Sequence, residues 1–219
     1  MQASLWPHAW YYELHDMNQD EIRTFLDSFK AKAARTIVIV DFGNVDKWEK
    51  NLRWKVGIQE LARLIRHFSV GNKALRRFYY GADYGPHESS TTLSLWSQGI
   101  LDRADMNRFE VVAKPVKYIH DASRPTGYDK KCDFDVEMAI DLVRLQAEYD
   151  DIVLFSGDGD LVYALRYLRD AFGKSSYVFG ARGHVGREVV DATKEGVIQR
   201  LLYADDFKYR LDGNRRWRA

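Results

Sequence analysis

Residues 153–165 read VLFSGDGDLVYAL, an apolar run broken by two carboxylates, Asp158 and Asp160, each set behind a glycine, before a helical pattern begins at Leu161. A strand that ends this way carries two like charges to the tip of a buried element. Working outward, short β-branched or aromatic runs recur as TIVIV (36–40), LRRFYY (75–80), FEVVAKP (109–115), IVLFS (152–156) and SSYVFG (175–180). Between them lie helical patterns around 59–68, 91–104, 134–149 and 161–171. This alternation predicts an α/β fold with a mostly parallel sheet, whose strands are apolar throughout because helices cover both faces.

In such sheets ligands settle in the crevice beyond the carboxyl ends of the strands. The segments that follow the five strands are DFGNVD, GADYGPHESS, VKYIHDASRPTGYDKKCD, GDGD and ARGHVGR. Asp41 directly follows the first strand, Asp158 and Asp160 follow the fourth, and Asp133 and Asp135 open the helix that leads into it. If the first and fourth strands are neighbours, these acids converge. Clustered carboxylates raise one another's pKa, and a hard divalent cation with oxygen ligands relieves that conflict.

The helix 134–149 cannot aim all its acids one way. Asp135 and Asp141 are six residues apart, off a shared face, whereas Asp133, Glu137 and Asp141 form an i, i+4, i+8 ladder. Asp135 is favoured, near the helix start where backbone N–H groups welcome a carboxylate. Each acid also has a plain structural use: Asp133 as a helix N-cap, Asp160 as a cap for the helix at Leu161, and Asp41 as a turn residue with Gly43 and Asn44.

The 219 residues, 46% hydrophobic, are enough for one substantial core. Asn18 followed by Glu21, with Ile22, Phe25, Leu26 and Phe29 at helical spacing, predicts an amphipathic helix over 19–34. The organisation expected is an N-terminal aromatic and helical extension (1–34), a main α/β domain (35–212) and a basic C-terminal tail (213–219). Trp6, Trp10, Tyr11 and Tyr12 are expected to pack on the core, with a homodimer contact as their alternative use. Thirty-three Lys and Arg nearly cancel 32 Asp and Glu, so a nucleic-acid site has to come from local clustering. A single cysteine, Cys132, excludes an intrachain disulfide framework. No leader pattern or membrane-length apolar run is seen, and a cytoplasmic, non-membrane protein is expected.

IVIVDFGNVD, KKCDFDVEMAIDLVRL, DDIVLFSGDGDLVYALRYLRDAFGKSSYVFG and YADDFKYRL together resemble the NYN domain family, in its LabA-like branch, within the PIN-like nuclease superfamily. The resemblance runs through roughly 36–211. It implies a three-layer α/β/α sandwich and Mg2+- or Mn2+-dependent cleavage of RNA, with Asp41, Asp135, Asp158 and Asp160 as acidic site residues and Asn44 and Ser156 as neighbouring polar groups. Asp141 also matches a family position. Leu161 stands where the family often has an aromatic residue, and Asp133 is an additional acid.

On this reading Asp41, Asp135 and Asp158 hold a metal directly or through water, Asp160 supports them or binds a second metal, and Asn44 and Ser156 orient water or phosphate. Substrate grip is expected from the segment 116–131, read as a long loop with Lys117, Tyr118, His120, Arg124, Tyr128, Lys130 and Lys131. Arg182, His184 and Arg187 follow the fifth strand. Cations among stacking rings suit single-stranded RNA. A catalytically weak RNA-binding module is the alternative function. DFG at 41–43 lacks the companion motifs of a protein kinase, DGDLVY lacks the third oxygen ligand and glycine of an EF-hand, and one cysteine with scattered histidines argues against zinc.

Overall fold

The computed structural model describes residues 16–32, 34–68, 74–86 and 91–214. Trp6, Trp10, Tyr11 and Tyr12, and most of the basic tail, lie outside the described residues. Six strands form one sheet: β1 (Thr36–Asp41), β2 (Leu75–Ala82), β3 (Glu110–Pro115), β6 (Asp151–Phe155), β7 (Ser175–Gly180) and β8 (Arg200–Tyr203). Their order is β3-β2-β1-β6-β7-β8, with every neighbouring pair parallel. The order reverses between β1 and β6, which pair directly from Thr36 with Asp151 to Val40 with Phe155. That reversal opens a crevice above the strand ends.

The alternating side chains of the central strands serve two cores. Val38 and Val40 of β1 pack with α1 (Gln19–Lys32), α2 (Phe42–Lys47), α3 (Glu49–Leu52), α4 (Ile58–Ile65), α5 (Leu95–Met106) and α9 (Lys208–Leu211). Ile37 and Ile39 pack with α6 (Asp135–Arg144), α7 (Val162–Phe172) and α8 (Arg187–Lys194). The result is a three-layer α/β/α sandwich. Among the described residues no helix is long and apolar enough to cross a membrane.

Asn18 and Glu21 form the reciprocal cap expected of them: Asn18 Oδ1 accepts from Glu21 N at 3.0 Å, and Glu21 Oε2 accepts from Asn18 N at 2.8 Å. Ile22, Phe25, Leu26 and Phe29 are buried in the same core as the sheet. Lys32 meets Asp151 at the start of β6 at 2.5 Å, while Asp16 meets Arg182 beyond the end of β7 at 2.9 Å. The first helix therefore runs antiparallel to the strands.

Three parts differ from the sequence reading. The segment expected as a long loop contains an antiparallel hairpin, β4 (Lys117–His120) with β5 (Tyr128–Lys131). Its strands are four residues long and mostly exposed, so no buried alternation marks them. The helix expected to run to 149 stops at Arg144 and continues as a short 3-10 turn, Gln146–Glu148. β8 and α8 were not foreseen: RLLY is too short to stand out, and REVVDATK is largely polar.

Candidate metal centre

The reversal between β1 and β6 is closed by a polar clip. Asp41, the last residue of β1, caps α2 by accepting from Asn44 N at 3.2 Å, and its other oxygen accepts from Ser156 Oγ at 3.1 Å. Ser156 is buried and also accepts from Asp158 N at 3.2 Å. Asn44 Oδ1 accepts from Trp48 Nε1 at 2.8 Å and from Gly157 N at 2.9 Å. Asn44 and Ser156, expected to orient water or phosphate, thus fix the loop that carries Asp158. Asp41 takes on the capping role as well as its place beside the acids.

The glycines of SGDGD have a steric cause. A Cβ on Gly157 would lie 2.2 Å from His184 O, and one on Gly159 would lie 2.8 Å from Glu188 Cβ. Gly186 N donates to Gly157 O at 2.8 Å. The loop after β7 therefore presses onto the loop after β6, and only glycine allows the approach. Glu188, at the start of α8, becomes an acidic neighbour that the sequence reading did not single out.

Asp135, Asp158 and Asp160 present carboxylate oxygens that all lie within 4.8 Å of one another. Among the described residues none of the three is in an ion pair. Asp135, the first residue of α6, is pushed up to about 6 by burial and then by the charges of Asp158, Asp41, Asp160 and Asp133. Asp41 is not one of the three clustered groups, but burial raises its pKa and Asp158 adds to the rise, against the hydrogen bonds from Asn44 and Ser156 and the charge of Lys47. Asp160 is exposed, so the cluster opens to solvent.

The other acids are placed elsewhere. Asp141 is buried, accepts from Tyr79 OH at 2.7 Å and from Arg144 Nη2 at 2.9 Å, and lies 3.2 Å from Arg77 Nε. It belongs to a structural ion network. Asp133 is exposed and 3.7 Å from Lys131. Neither Asp133 nor Asp160 caps a helix; Phe134 and Leu161 occupy those positions without a side-chain cap bond.

Most of the cations expected to grip substrate have acidic partners. Lys130 pairs with Asp83 at 2.7 Å, and Tyr118 donates to the same carboxylate at 2.5 Å. Arg124 meets Asp121 at 3.5 Å and Asp129 at 3.3 Å. Arg182 forks onto Asp206 at 2.8 and 3.2 Å and also reaches Asp16, so its guanidinium ties the loop after β7 to the chain rather than standing open to a phosphate. Lys117 and His120 are exposed, the latter with its ring 6.0 Å from that of Tyr128.

His184 lies on the loop that presses onto Gly157, its backbone oxygen facing that glycine. Burial lowers its pKa, the positive charges of Lys47 and Lys50 lower it further, and Asp158 opposes them. Lys47 and Lys50 were missed because α2 and α3 are too short to show a period; the cap at Asp41 was the only local sign of a helix.

The family model for the NYN domain matches residues 35–199. A curated relative, the low amplitude and bright protein LabA of Synechococcus elongatus, is 34% identical over 109 residues, 45% of this chain and 57% of the relative. The match thus spans little more than half the length of that relative. Among solved structures, a protein of unknown function from Vibrio parahaemolyticus RIMD 2210633 superposes with a TM-score of 0.58 at 18% identity, over 79% of this chain and 94% of that one. At that identity the likeness speaks for the fold alone.

Proposed function

The chain belongs to the NYN domain family of PIN-like nucleases, and from that premise we propose that it hydrolyses phosphodiester bonds of RNA, preferring single strands, with Mg2+ or Mn2+ held by Asp135, Asp158 and Asp160. The observation that carries this reading is the meeting of three carboxylates within 4.8 Å without an ion pair among the described residues. An all-oxygen, anionic donor set suits a hard cation. A proton is the other remedy for the repulsion, and the raised pKa of Asp135 reflects that competition.

When bound, such a cation lowers the pKa of water and neutralises charge on the scissile phosphate. The chain's own groups do the positioning. Ser156 and the Asn44 amide hold the Asp41 carboxylate at the strand end, where it adds to the negative field of the pocket. The Ser156 Oγ and Asn44 Oδ1 contacts fix the backbone of Gly157 and Asp158. Exposed Asp160 leaves one side open for a strand to enter. His184, whose pKa is lowered by burial, offers a neutral ring N–H to a phosphate oxygen, beside the ammonium groups of Lys47 and Lys50.

The test is incubation of single-stranded RNA with Mg2+ and either the wild type or Asp158→Asn. Cleavage that falls at least about 100-fold in the variant, with the thermal midpoint retained, supports the assignment. Activity that survives the substitution belongs to a contaminating nuclease. RNA bound but uncut by both proteins would instead make the chain an RNA-binding module.

A further inference from the structure

We propose that Trp96 and Lys55 form a base-stacking subsite for a single-stranded nucleic acid, a few nucleotides along from the acidic cluster. This rests on the nuclease reading and adds to it the direction in which the strand leaves the site. Trp96 is the second residue of α5 and is 55% exposed, beside Leu95 at 93%. By contrast, Trp48 and Trp54 are buried at 0% and 6%. An indole left in water forgoes a large hydrophobic gain.

The exposure is not that of a frayed helix end. Ser94 caps α5 by accepting from Ser97 N at 3.2 Å. Ser97 is itself buried, with its hydroxyl 3.0 Å from Tyr80 OH and accepting from Asp83 N at 3.0 Å. Ile100 and Ala104 anchor the next turns in the core. The indole is therefore displayed on a pinned scaffold, as a stacking platform has to be.

Lys55 links this platform to the site. Its Nζ lies 4.2 Å from the centroid of the Trp96 ring and 3.3 Å from Asp46 Oδ1. Asp46 is on α2, the helix that Asp41 caps. Five residues of helix rise about 7.5 Å, so the helix, the Asp46 side chain, the ion pair and the cation–π contact keep the indole within roughly 20 Å of Asp41, inside the few-nucleotide reach of single-strand binders. Lys47 projects from the same helix, exposed, where it lowers the pKa of both Asp41 and His184. A strand with one phosphate at the acids and one near Lys47 brings a following base to Trp96. Stacking accepts any base, so the subsite confers affinity and not sequence preference.

The experiment measures binding of a short fluorescent single-stranded RNA by anisotropy, in chelator so that nothing is cut, with wild type, Trp96→Ala and Trp96→Phe, alongside thermal midpoints. We expect Trp96→Ala to weaken binding about 10-fold with an unchanged salt slope, and Trp96→Phe to restore it to within about threefold. Lys55→Ala, which removes the cation packed on the indole but one already paired with Asp46, should weaken binding less than Trp96→Ala and leave the salt slope unchanged. If Trp96→Ala binds as the wild type does, the subsite is overturned, while Asp158-dependent cleavage leaves the nuclease reading standing. A wild-type chain that binds no single strand in chelator overturns the subsite alone if it still cuts with Mg2+, and both readings if it does not.

Discussion

Two aspartates on one helix, six residues apart, have opposite surroundings. Asp141, near the end of α6, is enclosed by Arg77, Arg144 and the Tyr79 hydroxyl, and Arg77 in turn reaches Glu110 at 2.7 Å. Asp135, at the helix start, faces Asp158, Asp160 and Asp41. Both carboxylates lose water on folding, but only one gains protein counter-charge. Burial of a charge has to be offset by something; at Asp141 the chain supplies it, and at Asp135 it is left to a proton or an added cation.

The largest expected effect separates the two directly. Asp141→Ala leaves Arg77, 6% exposed at its side chain, without its inner partner, and should lower the free energy of unfolding by about 3–5 kcal/mol. The affinity of the folded variant for Mn2+ should stay within about twofold, since the two groups share no partner. Asp158→Asn should do the reverse, with metal-free stability kept or raised and Mn2+ binding lost. Urea unfolding with and without Mn2+ reads both quantities. A loss of Mn2+ binding in Asp141→Ala would break the comparison, because it would place both ends of α6 in one site.

A smaller effect is expected from pH. The folded pKa of Asp135 lies near 6, raised above its usual 3.8 by burial and like charges, so the folded chain holds this proton more tightly than the unfolded chain. The contribution is present at pH below about 4 and is lost as pH rises through about 6. Solvent screening of this partly exposed group reduces the loss to about 1 kcal/mol. Asp41, also raised by burial, acts in the same sense; His184, lowered from 6.5, acts in the opposite one. The useful readout is therefore the difference between wild type and Asp135→Asn, as thermal midpoints in chelator from pH 4.5 to 7.5. The wild type should fall relative to the variant, and saturating Mg2+ should remove the fall. Parallel curves would mean that Asp135 is not repelled by its neighbours.

The same contrast explains what the sequence made legible. The strands were readable because TIVIV and IVLFS are apolar on both faces, and their adjacency brought Asp41 and Asp158 to one crevice. Helical phase kept Asp135 and Asp141 off a shared face, and the place of Asp135 at the helix start made it the preferred one. What composition could not show was who answers each charge. Arg182 looked available for phosphate, yet Asp206 lies 24 residues away in sequence and directly beside it in space. Lys130 and Asp83 are 47 apart. Asn44 and Ser156 were expected to orient water or phosphate, and the hydrogen bonds that they also make, to Gly157 and Asp41, reach the end of the neighbouring strand. Cross-chain pairing carries no local signal, so the fold was easier to read than the division of its polar groups between structure and site.

Asp133 is the finest test of the rule that an acid without an ion-pair partner marks the site. It lies two residues before Asp135 and raises that group's pKa less than Asp158, Asp41 or Asp160 does. Yet its side chain is 59% exposed and stands 3.7 Å from Lys131. Water and a nearby cation already answer its charge. Asp133→Asn should change stability by no more than about 0.5 kcal/mol, and Mn2+ affinity by less than about threefold, with the residual effect fading as salt rises. Titration of Mn2+ at low and high ionic strength measures this. A drop comparable to that of Asp158→Asn, persisting in salt, would put Asp133 in direct contact with the ion, and an ion-pair partner would then no longer separate the acids that bind from those that merely stand near.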